Sequence, residues 1–143
     1  IQRCDVCRLA LNDGDYPYIL PLNFGFDEEN GKITLYFHSA LEGYKTGLFQ
    51  RENRASFEMD CKHELQYFAD RGYCTMSYES VIGRGRIEML SGDGKVHALQ
   101  RLMDHYHKTP GTYFNPAAIP RTIVYALHIE HLTGKRKMPK KLG

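Results

Sequence analysis

ITLYFHSALEGYKTGLFQR, residues Ile33 to Arg51, is the stretch on which the reading of this chain turns. Its first part alternates. Ile33, Leu35 and Phe37 stand against Thr34, Tyr36 and His38, the period-2 pattern of a half-buried strand. The alternation breaks at His38-Ser39. Ser39 with Glu42 three residues on is a capping-box pattern, so a helix is expected to start there. Leu41, Tyr44 and Leu48 mark its apolar stripe, and Lys45 and Arg51 fall off it. A strand running into a helix N-terminus presents backbone N–H groups and the positive end of the helix dipole. Ser39 adds a hydroxyl, Lys45 a cation, and Gly43 permits close approach to the backbone. The corner therefore predicts an anion site suited to a phosphate. The same spacing also fits a Ser39 that only caps a helix and a Lys45 that only faces water.

Working outward, Cys4 to Leu11 reads as a short strand and Asn12-Asp13-Gly14-Asp15 as a turn. Tyr16 to Phe26 reads as the next strand. Tyr18, Leu20, Leu22, Phe24 and Phe26 face one way, with Ile19, Pro21, Asn23 and Gly25 opposite. Pro21 removes a ladder donor, so this strand is locally unpaired there or at an edge, which leaves backbone groups for a ligand. Asp27 to Lys32, with Asn30-Gly31, closes a hairpin into the opening stretch. Beyond the helix, Asn53-Arg54 leads into a strand over Ala55 to Asp60, and Cys61 to Tyr73 is a polar, mixed excursion. Thr75 to Leu90 reads as a long strand whose Gly83 and Gly85 predict a bulge or barrel bend. A second helix starts at Ser91-Gly92-Asp93-Gly94, carries Val96, Leu99, Met103 and Tyr106 at helical spacing, and stops at Pro110-Gly111. Thr122 to Leu132 is the last strand, with Ile123, Tyr125, Leu127 and Ile129 on its apolar face. About six strands outnumber two helices and no β-α-β repeat occurs. The pattern is mainly β, a closed antiparallel β-barrel with peripheral helices.

Composition narrows the function classes. The 143 residues suit a single domain, residues 1–143, with one core. A net charge of +2 is too mild to argue for a nucleic-acid partner. The one basic cluster, Lys135, Arg136, Lys137, Lys140 and Lys141, reads as a solvated tail from about residue 134. No apolar run approaches a membrane span and no signal peptide is visible, so the expectation is a cytoplasmic protein without a membrane partner. The first residue is Ile1, so a longer chain is expected to precede it. Cys4 and Cys7 form a lone C-x-x-C, while Cys61 and Cys74 are not a second pair at that spacing. The four read as reduced thiols, and His105 and His107 project to different faces of a helix, so no metal site is expected.

Four segments together carry a family resemblance. They are Tyr18-Ile-Leu-Pro-Leu-Asn-Phe-Gly-Phe26, Leu35-Tyr-Phe-His-Ser-Ala-Leu-Glu-Gly43 with Lys45, Asn53-Arg54, and Tyr78-Glu-Ser-Val-Ile-Gly83 with Gly85. In that order, across about Val6 to Leu132, the chain resembles the pyridoxamine 5′-phosphate oxidase-like flavoproteins and is similar to their nitroimidazole-resistance branch. The resemblance implies a six-stranded FMN-binding split barrel that acts as a homodimer, with flavin in clefts at the subunit interface. It puts the flavin phosphate on Ser39 and Lys45 with His38 beside it. It puts the ring along Pro21, Leu22 and Asn23, and brings Ser80 and Val81, with Tyr78 nearby, to the same pocket, from the same or the other subunit. FAD presents the same inner phosphate as FMN and is the alternative cofactor. The basic residues from Lys135 to Lys141 do not reproduce the arginine-rich substrate site of the oxidase proper.

The implied activity is flavin-dependent oxidoreduction: a reduced nicotinamide as donor, and a nitro-aromatic, quinone or similar small molecule as acceptor. His38 is the candidate proton donor, since an imidazole titrates near neutrality; a hydrogen bond at the strand end is its other role. The competing readings are a flavin- or haem-binding module without turnover, and the same barrel using a deazaflavin of the F420 type.

Overall fold

The strands and helices follow one another as β1 (Cys7–Asp13), β2 (Tyr16–Leu22), β3 (Gly25–Glu29), β4 (Lys32–Ala40), α1 (Tyr44–Arg51), β5 (Arg54–Phe68), β6 (Tyr73–Met89), α2 (Gly92–Tyr106) and β7 (Thr122–Lys137). This is a computed structural model, and it describes residues 1–107 and 115–139. The expected helix stop at Pro110-Gly111, and Lys140 and Lys141 of the basic cluster, lie outside the described residues. Every strand pair is antiparallel, in one sheet ordered β2-β1-β5-β6-β7-β4-β3.

The chain is mainly β with few helices, as the alternation predicts. Two details are corrected. Among the described residues the sheet has seven strands rather than six, and its edges β2 and β3 are not bonded to each other, so hydrogen bonding does not close the barrel. The extra strand arises because Tyr16–Phe26 does not run straight through. The Phe24 N–H donates to the Tyr106 hydroxyl of α2 at 3.1 Å instead of to a ladder partner, and the Phe24 ring is fully buried. The chain leaves β1 at Leu22 and rejoins the sheet against β4 at Gly25.

One core lies inside the curl of the sheet. Leu9 and Leu11 of β1, Leu20 of β2, Leu35 and Phe37 of β4, Phe57 and Met59 of β5, and Tyr125 and Leu127 of β7 all point into it. Leu48 and Phe49 of α1 close it on one side. The glycine bend is a close approach. A Cβ on Gly85 would lie 1.9 Å from the His128 carbonyl oxygen, at the place where the β6–β7 register shifts.

Both helices differ from expectation. The β4–β7 ladder continues to Ala40 opposite Thr122, which keeps Ser39 in the strand. The capping box therefore does not form: α1 starts at Tyr44 behind Gly43, with no side-chain cap, and the Ser39 hydroxyl donates to the Ala40 carbonyl at 3.2 Å. α1 buries Leu48 and Phe49, while Leu41 and Tyr44 are exposed. The Tyr44 hydroxyl donates to the Asp13 carboxylate at 2.8 Å and Arg51 pairs with it at 3.3 Å, so α1 docks on the β1–β2 turn. In α2 the buried residues are Ala98 and Leu102 rather than Val96, which is exposed.

The expected excursion from Cys61 to Tyr73 is instead the outer end of a long β5–β6 hairpin. It bulges where the register slips between Cys61 and Glu64, with Lys62 at a φ of 56°. Residues 134–137, read from sequence as a solvated tail, are the end of β7. Lys135, Arg136 and Lys137 pair with Ser80, Glu79 and Tyr78 of β6.

Candidate functional site

The corner between β4 and α1 gathers unbalanced positive charge. Lys45, in the first turn of α1, is partly buried, and no carboxylate pairs with it among the described residues. Burial pushes its ammonium below the ordinary range. His38 comes off the outer side of β4, where burial first and the Lys45 charge second push its imidazole down. Ser39 points to the other side, with Leu35 and Phe37, and is 8% exposed. The structure thus joins His38 to Lys45 and sets the Ser39 hydroxyl at the inner edge of the same strand end. Two basic groups that their surroundings disfavour as cations sit together without a protein anion. The first N–H groups of α1 have no side-chain cap. A phosphate fits this donor set, since it would supply the missing charge.

The second group, Pro21, Leu22 and Asn23, lies at the open edge of the sheet. Pro21 stands opposite Arg8 in the β1 register, and among the described residues no strand covers the far side of β2. Its outward face is apolar and exposed, with Ile19 at 62%. Two contacts hold this edge. Tyr18 meets Tyr44 edge to face at 5.4 Å between ring centres, which ties β2 to the first turn of α1 beside Lys45. Tyr106 pins the link after Asn23, accepting from Phe24 N–H and donating to the Asp5 carbonyl at 2.7 Å. The β2 edge and the charged corner are therefore neighbours.

The third group lies elsewhere. Tyr78, Ser80 and Val81 sit on β6 opposite Lys137, Lys135 and Gly134 of β7. Lys135 Nζ stands 5.8 Å from the Tyr78 ring centre. Ser39 pairs with Ile123 at the other end of β7. From Ile123 to Gly134 the strand contour is roughly 36 Å at the usual rise per residue. One chain thus joins the first two groups and sets the third far from the first along β7, while the ladders put Ile82, next to Val81, three strands across from Pro21.

Sequence reading missed Tyr106, Asp13 and Arg3 as organising residues. Their partners lie far along the chain, and no local period announces such contacts. Among the described residues no group of three His, Cys, Asp or Glu side chains is arranged to hold a metal ion, and no helix is long and apolar enough to cross a membrane.

Residues 1–136 match the family described as pyridoxamine 5′-phosphate oxidase. No curated protein sequence matches significantly. Among solved structures, a protein of Bacteroides thetaiotaomicron, provisionally described as a 5-nitroimidazole antibiotic resistance protein, is similar at a TM-score of 0.78 and 32% identity. That match covers 93% of this chain and 77% of the other. A flavocytochrome of Azotobacter vinelandii shares the fold at a TM-score of 0.72 and 19% identity, over 99% of this chain and 66% of its own. An FAD and heme binding protein of Mycobacterium smegmatis does so at 0.75 and 18%, over 99% and 70%.

Proposed function

The chain belongs to the pyridoxamine 5′-phosphate oxidase family, and we propose that within it this protein is a cytoplasmic, FMN-dependent oxidoreductase acting as a homodimeric split barrel. The observation that carries the reading is the unpaired Lys45 beside His38 at the start of an uncapped helix, adjoining an open strand edge. Lys45, Ser39 and the first N–H groups of α1 hold the FMN phosphate; the inner phosphate of FAD would sit there equally well. The β2 edge at Pro21, Leu22 and Asn23 offers backbone groups to the ring. Tyr78, Ser80 and Val81 reach that ring from a second copy, because β7 keeps them far from the corner of their own chain.

Bound flavin supplies hydride transfer from a reduced nicotinamide to a nitro-aromatic, quinone or similar small acceptor. The protein's part is position and protons. His38, held below its ordinary range, is neutral at pH 7, and a bound phosphate raises it again, so one imidazole nitrogen can pass a proton toward the acceptor. Backbone N–H groups near Asn23 stabilise negative charge on the reduced ring.

The test is the absorption spectrum of the purified protein after reconstitution with FMN, followed by nicotinamide oxidation with a nitro-aromatic or a quinone. Flavin bands and acceptor-dependent oxidation are expected. A colourless protein that FMN cannot reconstitute, or a Soret band instead, would overturn the reading.

A further inference from the structure

Cys4 and Cys61 line one cavity, whose wall also carries Ser80 and Val81, assigned above to the flavin of a second copy. Arg8 pairs with Glu58 at 3.0 Å and with Asp60 at 2.6 Å, which lays the segment before β1 along β5 toward Cys61. Cys4 is buried and its backbone is pinned: its carbonyl is bonded to His105 Nε2 at 2.7 Å and its N–H donates to Ile1 at 3.2 Å. Cys61 is half-buried at the β5 bulge. Cys61 is near enough to Cys4 to perturb its thiol, and the Arg3 guanidinium stands near Cys61 as well. Both cysteines line a cavity of about 280 Å³ together with Arg3, Lys135, Arg136 and Glu79. Glu79 is the one carboxylate in that wall, and it is shared by Arg3, by Arg136 at 2.9 Å and by Lys62 at 3.8 Å. A pair of neighbouring thiols thus opens into a pocket with excess positive charge.

We propose that Cys4 and Cys61 are a reversible dithiol–disulfide site whose co-substrate is a small disulfide bearing carboxylates. Cys61 is the attacking group, since it borders the cavity at a half-buried position, whereas Cys4 is buried. Its sulfur displaces one thiolate from the incoming disulfide; that thiolate takes up a proton, and Cys61 is left in a mixed disulfide. Cys4 then gives its proton to water and attacks the Cys61 sulfur, which releases the second small thiol. Two protein thiols are oxidised to one disulfide while one small disulfide is reduced to two thiols. Cys4 suits the second step. Burial, then the neighbouring Cys61, pushes its thiol up to about 11, so it stays protonated until the mixed disulfide forms beside it. Cys7 points into the core, where burial pushes its thiol up to about 12, and Cys74 lies in the outer hairpin opposite Tyr67.

The test uses the whole chain in buffers of graded oxidised-to-reduced glutathione, quenched with an alkylating agent and mapped by mass spectrometry. It needs no flavin, so it stands or falls apart from the oxidoreductase reading. A Cys4–Cys61 link that reverses in excess reduced glutathione is expected. Cys4→Ser should trap glutathione on Cys61, and Cys7→Ser should leave the link in place. Cys61→Ala, at a half-buried position, should leave Cys4 open to alkylation at every ratio. Exchange with oxidised glutathione should outpace exchange with uncharged hydroxyethyl disulfide, and the difference should shrink with salt. Cys61 fully alkylatable at the most oxidising ratio, or a link through Cys7 or Cys74, would overturn the site. Equal rates with the two disulfides would overturn the acidic class of co-substrate.

Discussion

The curled body of the sheet and the arm formed by the outer ends of β5, β6 and β7 are made of the same antiparallel ladders, yet they differ in what lies beneath them. In the body, Leu9, Leu35, Phe37, Met59 and Leu127 are fully buried. In the arm, from Cys61 to Ser80, only Phe68 and Ser77 are buried. Leu65 faces Met76 across the hairpin and Tyr67 faces Cys74, so their side chains share one face, with Leu65 62% and Tyr67 71% exposed. Beyond the Lys137–Tyr78 pair the arm is two-stranded, and such a hairpin with a bare apolar face is a poor structure alone and a good one against a second surface. The comparison teaches that the body covers its apolar side chains within the chain while the arm leaves Leu65 and Tyr67 uncovered. The proposed homodimer covers them.

Glycine substitutions give the sharpest break between the two regions. Gly85→Ala drives a methyl group into the His128 backbone and should cost about 4 kcal/mol or more, or prevent folding, as read by urea denaturation. In the arm, a Cβ on Gly134 meets nothing nearer than 3.9 Å, so Gly134→Ala should change stability by less than about 0.5 kcal/mol, or raise it. Equal effects at the two positions would remove the distinction.

Next in size is the arm itself. Leu65→Asp combined with Tyr67→Asp puts two charges on the bare face. It should weaken self-association by about 2–4 kcal/mol, read by light scattering against concentration, with flavin affinity falling in parallel. A dimer that persists unchanged would place the interface elsewhere.

How far the sequence was legible follows the same division. Alternation in Ile33 to His38 and in Tyr18 to Leu22 reports real burial, because a core lies on one side of each strand, whereas in β7 Val124 and Ala126 on the other face are buried as fully as Tyr125 and Leu127. From Cys61 to Phe68 no core lies beneath, the outer face mixes Leu65 and Tyr67 with His63, and the strand looks like an excursion. Ser39 was misread because a capping box and a strand end share their residues, and only the pairing of Ala40 with Thr122 decides between them. The charged corner was visible through Lys45, which is near His38 in sequence as in space. The separation of Ser80 and Val81 from that corner was not, since it depends on the register of β7.

The link between the body and α2 should show a smaller effect. Tyr106→Phe removes the acceptor of the Phe24 N–H and the donor to the Asp5 carbonyl, and should cost about 1–2 kcal/mol in a denaturant melt. No loss would mean that the β2–β3 break is held by the Phe24 ring alone.

The smallest effect belongs to His38. Its imidazole is held below the ordinary value of 6.5 in the folded chain. As pH falls through 6.5 the unfolded chain takes up this proton first, so stability drops from there until the folded value is passed, then levels off. His38→Gln should flatten that part of the stability–pH curve of the flavin-free protein. An unchanged slope would mean that other groups set it.

The central claim is that Lys45 and its corner hold a flavin by its phosphate. The direct measurement compares the affinity of the flavin-free protein for FMN and for riboflavin, which lacks the phosphate, in the parent chain and in Lys45→Ala. A charged phosphate contact is worth about 1.5–3 kcal/mol, so FMN should bind the parent chain about tenfold or more tightly than riboflavin. Lys45→Ala should erase most of that difference while leaving riboflavin binding nearly unchanged. Equal binding of the two flavins by the parent chain, or an FMN preference that survives the loss of Lys45, would contradict the account.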